Sequence, residues 1–349
     1  MIYNLQRNRV RRSYYGGKNI DAFYNNSDCK VSRYPEEWIA STTLAFNPDL
    51  PVKNEGLSKI ESGAYLVDII NKAPKKVLGE LSSGHDNNKM SFLLKLLDAA
   101  ERLVIQVHPD TAFAQENFHS QFGKTECWYM LNDSEVFLGF KPGVTKERWI
   151  RLFYENNTAQ MLDCMHKLKV KKGELIFVAG GVPHAIGQNS FLLELQEPTD
   201  LMIIPERITP SGLKLPDEKL HGGIGFEKMF DCFHYDGMTE ETIRQTFLIA
   251  PRKINDAVTV IVDRKVTDKF SMIKIDVAER YTIQNDNMYR VMFVTAGHGS
   301  IIADGEETKI TKGSQLFITA DTHTLTCIGE LSLLMCYPSV ESEKPDSVL

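Results

Sequence analysis

Short apolar runs broken by glycine, proline, asparagine and aspartate recur along this chain, and that rhythm predicts antiparallel β structure. Residues 174–178, 191–195 and 292–295 are examples. Many such runs with frequent turns predict a mainly β chain folded as two antiparallel β-barrels of the jelly-roll kind, with short helical insertions. Helical spacing takes over twice, at residues 146–154 through Trp149, Ile150 and Phe153, and at 159–166 through Met161, Leu162 and Met165. Stripes of methionine and aromatic side chains are far more often core than cofactor contacts. They predict a helical insertion at about 144–168 that covers one mouth of the first barrel. Glycines 212, 222, 223 and 225 mark a long connection, followed by helix-like residues 227–233 and 239–246. Beyond Ala257 the strand-like runs return, with tight turns at Gly297, Gly299 and Gly313. The expected division is 1–210, 211–255 and 256–349.

Some polar residues interrupt the apolar pattern. The run LVIQVH at 103–108 is rich in β-branched residues and stops at Pro109, so it is expected to be extended. Side chains alternate along a strand, which sets Gln106 and His108 on one face and Val107 on the other. Left unpaired in a core, each would cost about 1–3 kcal/mol, whereas a shared cation satisfies both. Glu126 precedes the apolar run CWYML, and His184 follows the turn sequence Gly180-Gly181-Val182-Pro183. Two imidazoles, a carboxylate and an amide oxygen suit zinc with one position open to water or substrate. Manganese, iron(II) and cobalt suit the same donors, so a metal-dependent oxygenase is an alternative. A histidine on an apolar strand is more often a satisfied core residue than a ligand, so spacing alone leaves both readings standing. His221 and His234 read as surface histidines, and His298 and His323 lie too far apart for a second metal site.

Composition narrows the function classes. At 349 residues, with 42% hydrophobic and 25% charged residues, the chain can bury more than one core. A net charge of −6 without a basic stripe makes nucleic acid a poor partner. The six cysteines form no CxxC pair, as expected for reduced thiols in the cytoplasm. The first residues lack the apolar core of a signal peptide, and no stretch reaches the roughly 18–20 apolar residues of a membrane span.

Several blocks, in order, resemble the class I mannose-6-phosphate isomerases, zinc-dependent cupins that interconvert mannose 6-phosphate and fructose 6-phosphate. They are Tyr15-Gly16-Gly17, where the family usually has Trp-Gly-Gly, then Glu37-Trp38-Ile39-Ala40-Ser41, the run FLLKLLDAA at 92–100, and Gln106-Val107-His108-Pro109-Asp110. Gly123-Lys124-Thr125-Glu126, His184-Ala185-Ile186-Gly187 and LELQEPTD at 193–200 complete the series. The resemblance implies two cupin-like barrels, a sugar phosphate substrate and Zn2+ held by Gln106, His108, Glu126 and His184. It also implies that Lys95, Lys124 and Glu194 lie near the sugar. Glu194 and Lys124 are then expected to handle the proton, with Lys95, on a helix, contacting oxygen or phosphate. Four residues after Asp200, where the family carries an arginine, this chain has Ile204, which cannot offset an anion. Arg207 is the nearest substitute in sequence, and Ser41, Thr42, Lys95 and Arg207 are phosphate candidates. The departure leaves open a non-catalytic sugar-binding or sensory cupin, or an isomerase of another sugar.

Overall fold

In the computed structural model, residues 1–48, 50–80 and 89–339 are described; residues 340–349 of the expected C-terminal unit lie outside them. The fold is mainly β. A central antiparallel sheet runs in the order Leu248–Ile249, Leu175–Val178, Glu126–Met130, Ser190–Gln196, Leu93–Ala99, Glu36–Ile39, Arg9–Val10. A three-stranded sheet of Met165–Val170, Ser134–Phe140 and His184–Ile186 accompanies it. The C-terminal half forms a third sheet around the long strands Arg290–Ala303 and Thr324–Pro338. Ile2–Asn4 joins this third sheet, pairing with Gln315–Ile318. The ladders run as open paths and do not close into rings among the described residues.

Alternation along the central strands explains what each face does. Leu94, Leu96, Cys127, Leu193 and Leu195 point one way and pack with Val291, Phe293, Phe317 and Cys336 of the C-terminal sheet. Leu97, Ala99, Trp128, Met130 and Leu192 point the other way and pack with Val136, Leu138 and Ile186 of the small sheet. Leu93–Ala99 is therefore buried along its whole length. That double burial removes the apolar–polar alternation that marks a strand with one solvated face. The helix expected around Lys95 is a strand for this reason.

Other local expectations hold or shift by a few residues. Lys146–Tyr154 is a helix, capped by Thr145 accepting from the Arg148 amide. It buries Trp149 and Phe153 as core. The next helix is Thr158–Asp163; Met165 and His166 belong instead to the strand Met165–Val170. Glu240–Phe247 is a helix with Thr239 as its cap. The segment at 103–108 is extended but makes only isolated bridges, Gln106 with His184 and Val107 with Ile203. It is a connection laid against two elements, not a ladder strand.

Gly16, from the first motif, sits where backbone meets backbone. A Cβ there would lie 1.6 Å from the Asp98 carbonyl oxygen and 3.0 Å from Pro35. Gly16→Ala is expected to destabilise the fold by about 1–3 kcal/mol through overpacking, read as a lower urea midpoint at unchanged slope. An unchanged midpoint would show that this contact relaxes freely.

Candidate metal centre and adjoining cleft

Three short-range choices aim the metal-type side chains at one point. The turn before His184 places Gly181 at φ 83 with its amide donating to the His108 carbonyl at 2.8 Å. Gly180 packs so closely on Asp110 that a Cβ would lie 2.5 Å from the Asp110 Cα. His184 then opens its strand directly opposite Gln106, each amide donating to the other's carbonyl at 2.9 Å. Glu126 opens the neighbouring strand of the central sheet, between Gln196 and Val178.

His108, Glu126 and His184 are buried, with ligand atoms all within 4.8 Å of one another. His108 Nε2 lies 3.3 Å from Glu126 Oε2, and His184 Nε2 lies 3.4 Å from Glu126 Oε1. Each imidazole is oriented from behind. His108 Nδ1 donates to the Leu201 carbonyl and His184 Nδ1 to the Val182 carbonyl, both at 2.9 Å. Those bonds make both Nε2 atoms acceptors beside the carboxylate, as a metal requires, that of His184 unpartnered and that of His108 taking a bond from Lys124. Burial, aided by Lys124, lowers the His108 pKa to about 3, and burial lowers that of His184 as well, so both rings are neutral. Burial alone would raise the Glu126 pKa, but Lys124 and then His108 hold it well below the usual carboxylate range. Glu126 Oε2 and His184 Nε2 are buried without a hydrogen-bond partner. A carboxylate set 3.3–3.4 Å from two neutral imidazole nitrogens, one of them with no hydrogen-bond partner, fits a divalent cation.

A cleft adjoins this cluster, lined by Gln106, Lys124, Lys95, Glu194 and Ile204 among others. Lys124 Nζ donates to His108 Nε2 at 2.8 Å and lies 3.3 Å from Glu126 Oε2. Lys95 and Glu194 stand opposite each other on neighbouring strands, and Lys95 Nζ donates to Glu194 Oε1 at 3.0 Å. Lys95 also lies 3.8 Å from Glu36 and over the Trp38 ring. Burial raises the Glu194 pKa against the opposing pull of Lys95. Glu194 is thus bonded to Lys95, not to Lys124.

Arg207 is not brought to the cleft. Its guanidinium bonds Asp217 at 3.0 Å and lies over the rings of Phe153 and Phe226. The residue is displaced because its segment turns back, Leu215 N donating to the Arg207 carbonyl. Ser41 spends its hydroxyl on the Thr43 carbonyl, and neither it nor Thr42 lines the cleft. Ile204 is buried there, its amide donating to the Leu220 carbonyl at 2.8 Å. His234 packs beside Asp110 and His221 against Phe226, and neither joins the cluster. His298 and His323 join no metal cluster among the described residues.

Sequence reasoning passed over Arg12, Tyr14, Glu36 and Lys219, which all line the cleft. Glu36 accepts from Tyr14 Oη and Trp38 Nε1 at 2.7 Å and from Arg12 Nε at 3.0 Å. The only local signal was proximity: Arg12 precedes the Tyr15-Gly16-Gly17 block, and Glu36 precedes Glu37-Trp38. Asp200 takes two bonds from Arg12, at 2.8 and 2.6 Å. Burial alone would raise the Asp200 pKa, but Arg12 holds it far below the usual range. A depressed folded-state pKa means stability that is present above the unfolded value, about 3.9, and is lost as pH falls below it. Asp200→Asn is therefore expected to lower stability at neutral pH and to flatten its decline below about pH 4. Denaturant unfolding across that range checks this; curves of equal slope for both proteins would contradict it.

The sequence matches two family models, the type I phosphomannose isomerase catalytic domain over residues 46–143 and the mannose-6-phosphate isomerase cupin domain over residues 263–338. It is 26% identical over 259 residues to the probable mannose-6-phosphate isomerase GmuF of Bacillus subtilis, covering 72% of this chain and 76% of that one. To the mannose-6-phosphate isomerase of Streptococcus mutans it is 25% identical, covering 80% and 84%. The crystal structure of the Bacillus subtilis mannose 6-phosphate isomerase has the same fold, with a TM-score of 0.75 at 20% identity over 96% of this chain and 99% of that one. A zinc-bound mannose 6-phosphate isomerase aligns equally well, with a TM-score of 0.75 at 17% identity over 97% and 100%. With a catalytic-domain match, a cupin-domain match and relatives that extend across most of its length, the chain is similar throughout to the type I mannose-6-phosphate isomerases.

Proposed function

We propose that this protein interconverts mannose 6-phosphate and fructose 6-phosphate with a divalent cation, zinc by its donor set, held by Gln106, His108, Glu126 and His184. The observation that carries the reading is the convergence of His108, Glu126 and His184, with the buried His184 Nε2 left without a hydrogen-bond partner, beside a cleft in which Lys95 bonds Glu194. The aldose-to-ketose step moves a proton between two neighbouring carbons while charge develops on their oxygens, through a cis-enediol. When bound, the cation supplies Lewis-acid stabilisation of that charge.

Glu194 is the base. Its burial favours proton uptake, while Lys95 keeps it ionised enough to act. Lys95, charged because Glu194 and Glu36 outweigh its burial, orients Glu194 and presents a donor to substrate oxygen. Lys124, bonded to His108 and close to Glu126, adds positive charge where the metal site opens on the cleft. Arg12, Lys95, Lys124 and Lys219 line that cleft together with the carboxylates Glu36 and Glu194. Guanidinium and ammonium donors of this kind suit a phosphorylated sugar. The halves are proposed to be two cupin barrels, the first carrying the chemistry. No helix among the described residues is long and apolar enough to cross a membrane, and the six cysteines are free thiols, in keeping with a cytoplasmic setting.

Coupled turnover of zinc-loaded protein tests the proposal, with fructose 6-phosphate as the expected product. Absence of turnover with mannose, glucose and allose phosphates removes it. Ile204, an apolar side chain in the cleft, favours one second reading: a sugar-binding cupin that converts nothing. Sugar phosphate affinity without conversion would establish that reading instead.

A further inference from the structure

Resting on the isomerase reading, we propose that Arg12 holds the phosphate of the sugar phosphate substrate in the cleft that adjoins the metal centre. Arg12 lines the same cleft as Lys95, Glu194 and Ile204. Its ion-pair partners are Glu36 and Asp200, and neither belongs to the His108–Glu126–His184 cluster.

The guanidinium is fixed before any ligand arrives. Nε donates to Glu36, and Nη1 and Nη2 each donate once to Asp200. A guanidinium carries five N–H groups, so one remains on each Nη nitrogen. Burial works against the charge, but Asp200 and Glu36 more than restore it, and Arg12 stays a cation throughout. A planar, immobilised fork with N–H groups in reserve is the donor best matched to a phosphate monoester. Ile204 contributes no charge to the cleft, and Arg207 is spent on Asp217 and two aromatic rings outside it. Tyr14 and Trp38 hold Glu36 from two directions, so the Arg12 support is itself rigid.

Arg12→Gln alone would leave the buried Asp200 charge unpaired, while Glu36 keeps Tyr14, Trp38 and Lys95, so the test uses variants that spare the fold. Arg12→Lys keeps the charge and loses the fork; Arg12→Gln with Asp200→Asn removes the pair with matched shapes. Each is assayed on mannose 6-phosphate and on unphosphorylated mannose, and its affinity for fructose 6-phosphate is measured by calorimetry, with circular dichroism to verify folding. The double variant is expected to raise KM for mannose 6-phosphate by about 30-fold, with kcat within about threefold and mannose turnover unchanged; Arg12→Lys should fall between. Adding Ile204→Arg to the double variant is expected to recover part of the lost affinity, because both side chains face one cleft.

Equal losses on mannose and its phosphate, or an unchanged KM, would overturn the assignment while leaving the isomerase reading intact. If the unmodified protein turns over no sugar phosphate, the isomerase reading falls and calorimetry alone decides. Weakened fructose 6-phosphate binding in the variants would then support Arg12 as the phosphate contact, and equal affinity would overturn it.

Discussion

Glu126→Gln is expected to abolish equimolar metal binding and to reduce kcat by about a thousandfold or more, in line with the several kcal/mol that a Lewis acid contributes to the reaction barrier. Glu126 is the only acid in the cluster, so its carboxylate supplies all the negative charge that three neutral donors lack. The substitution keeps the shape, and an amide oxygen still accepts from Trp128 Nε1, which bonds Glu126 Oε1 at 2.9 Å. What disappears is the charge facing His108, His184 and Lys124. Changes in residues behind metal ligands typically cost about 10- to 100-fold in metal affinity, and loss of a ligand's charge should exceed that. Metal content by elemental analysis and turnover, measured on one preparation, check the prediction. Retention of a full metal equivalent together with full activity would dismantle the proposed site.

Glu194→Gln carries the second-largest expected effect. Removing a positioned base costs about 10²- to 10⁴-fold in kcat, while metal content should not change because Glu194 is not in the cluster. The pH profile adds a signature that misfolding cannot imitate. The base acts only when deprotonated, so activity falls as pH drops through its pKa. Burial has raised that pKa, which sets the acid limb above that of an ordinary glutamate. Lys95 opposes the rise from 3.0 Å. Lys95→Met should therefore move the acid limb to still higher pH, whereas Glu194→Gln should erase it. An acid limb unmoved by Lys95→Met would assign it to another group.

The cluster His108, Glu126 and His184 was legible in the chain because each is a polar side chain in an apolar setting next to a turn or a proline. The helices Lys146–Tyr154 and Glu240–Phe247 were legible too, the first from the apolar spacing of Trp149, Ile150 and Phe153, because helical periodicity is a local property. The nature of Leu93–Ala99 was not. A segment covered on both faces by other sheets shows the same unbroken apolar run whether it is strand or helix, and only its partners Glu36–Ile39 and Ser190–Gln196 decide.

Non-local pairing decided the rest. Along the chain Arg207 is the nearest arginine to Ile204, yet its segment folds back and commits it to Asp217, while Arg12 comes from far upstream to meet Asp200 at the cleft. Likewise Ile2–Asn4 is first in sequence but hydrogen-bonds into the C-terminal sheet. Sequence by itself determined that His108, Glu126 and His184 stand as polar breaks in apolar settings and where the chain must turn, because burial preference and backbone geometry act over a few residues. Tertiary structure alone decided which charges face one another, because ion pairs and ladders are set by distances in space that separation along the chain does not encode.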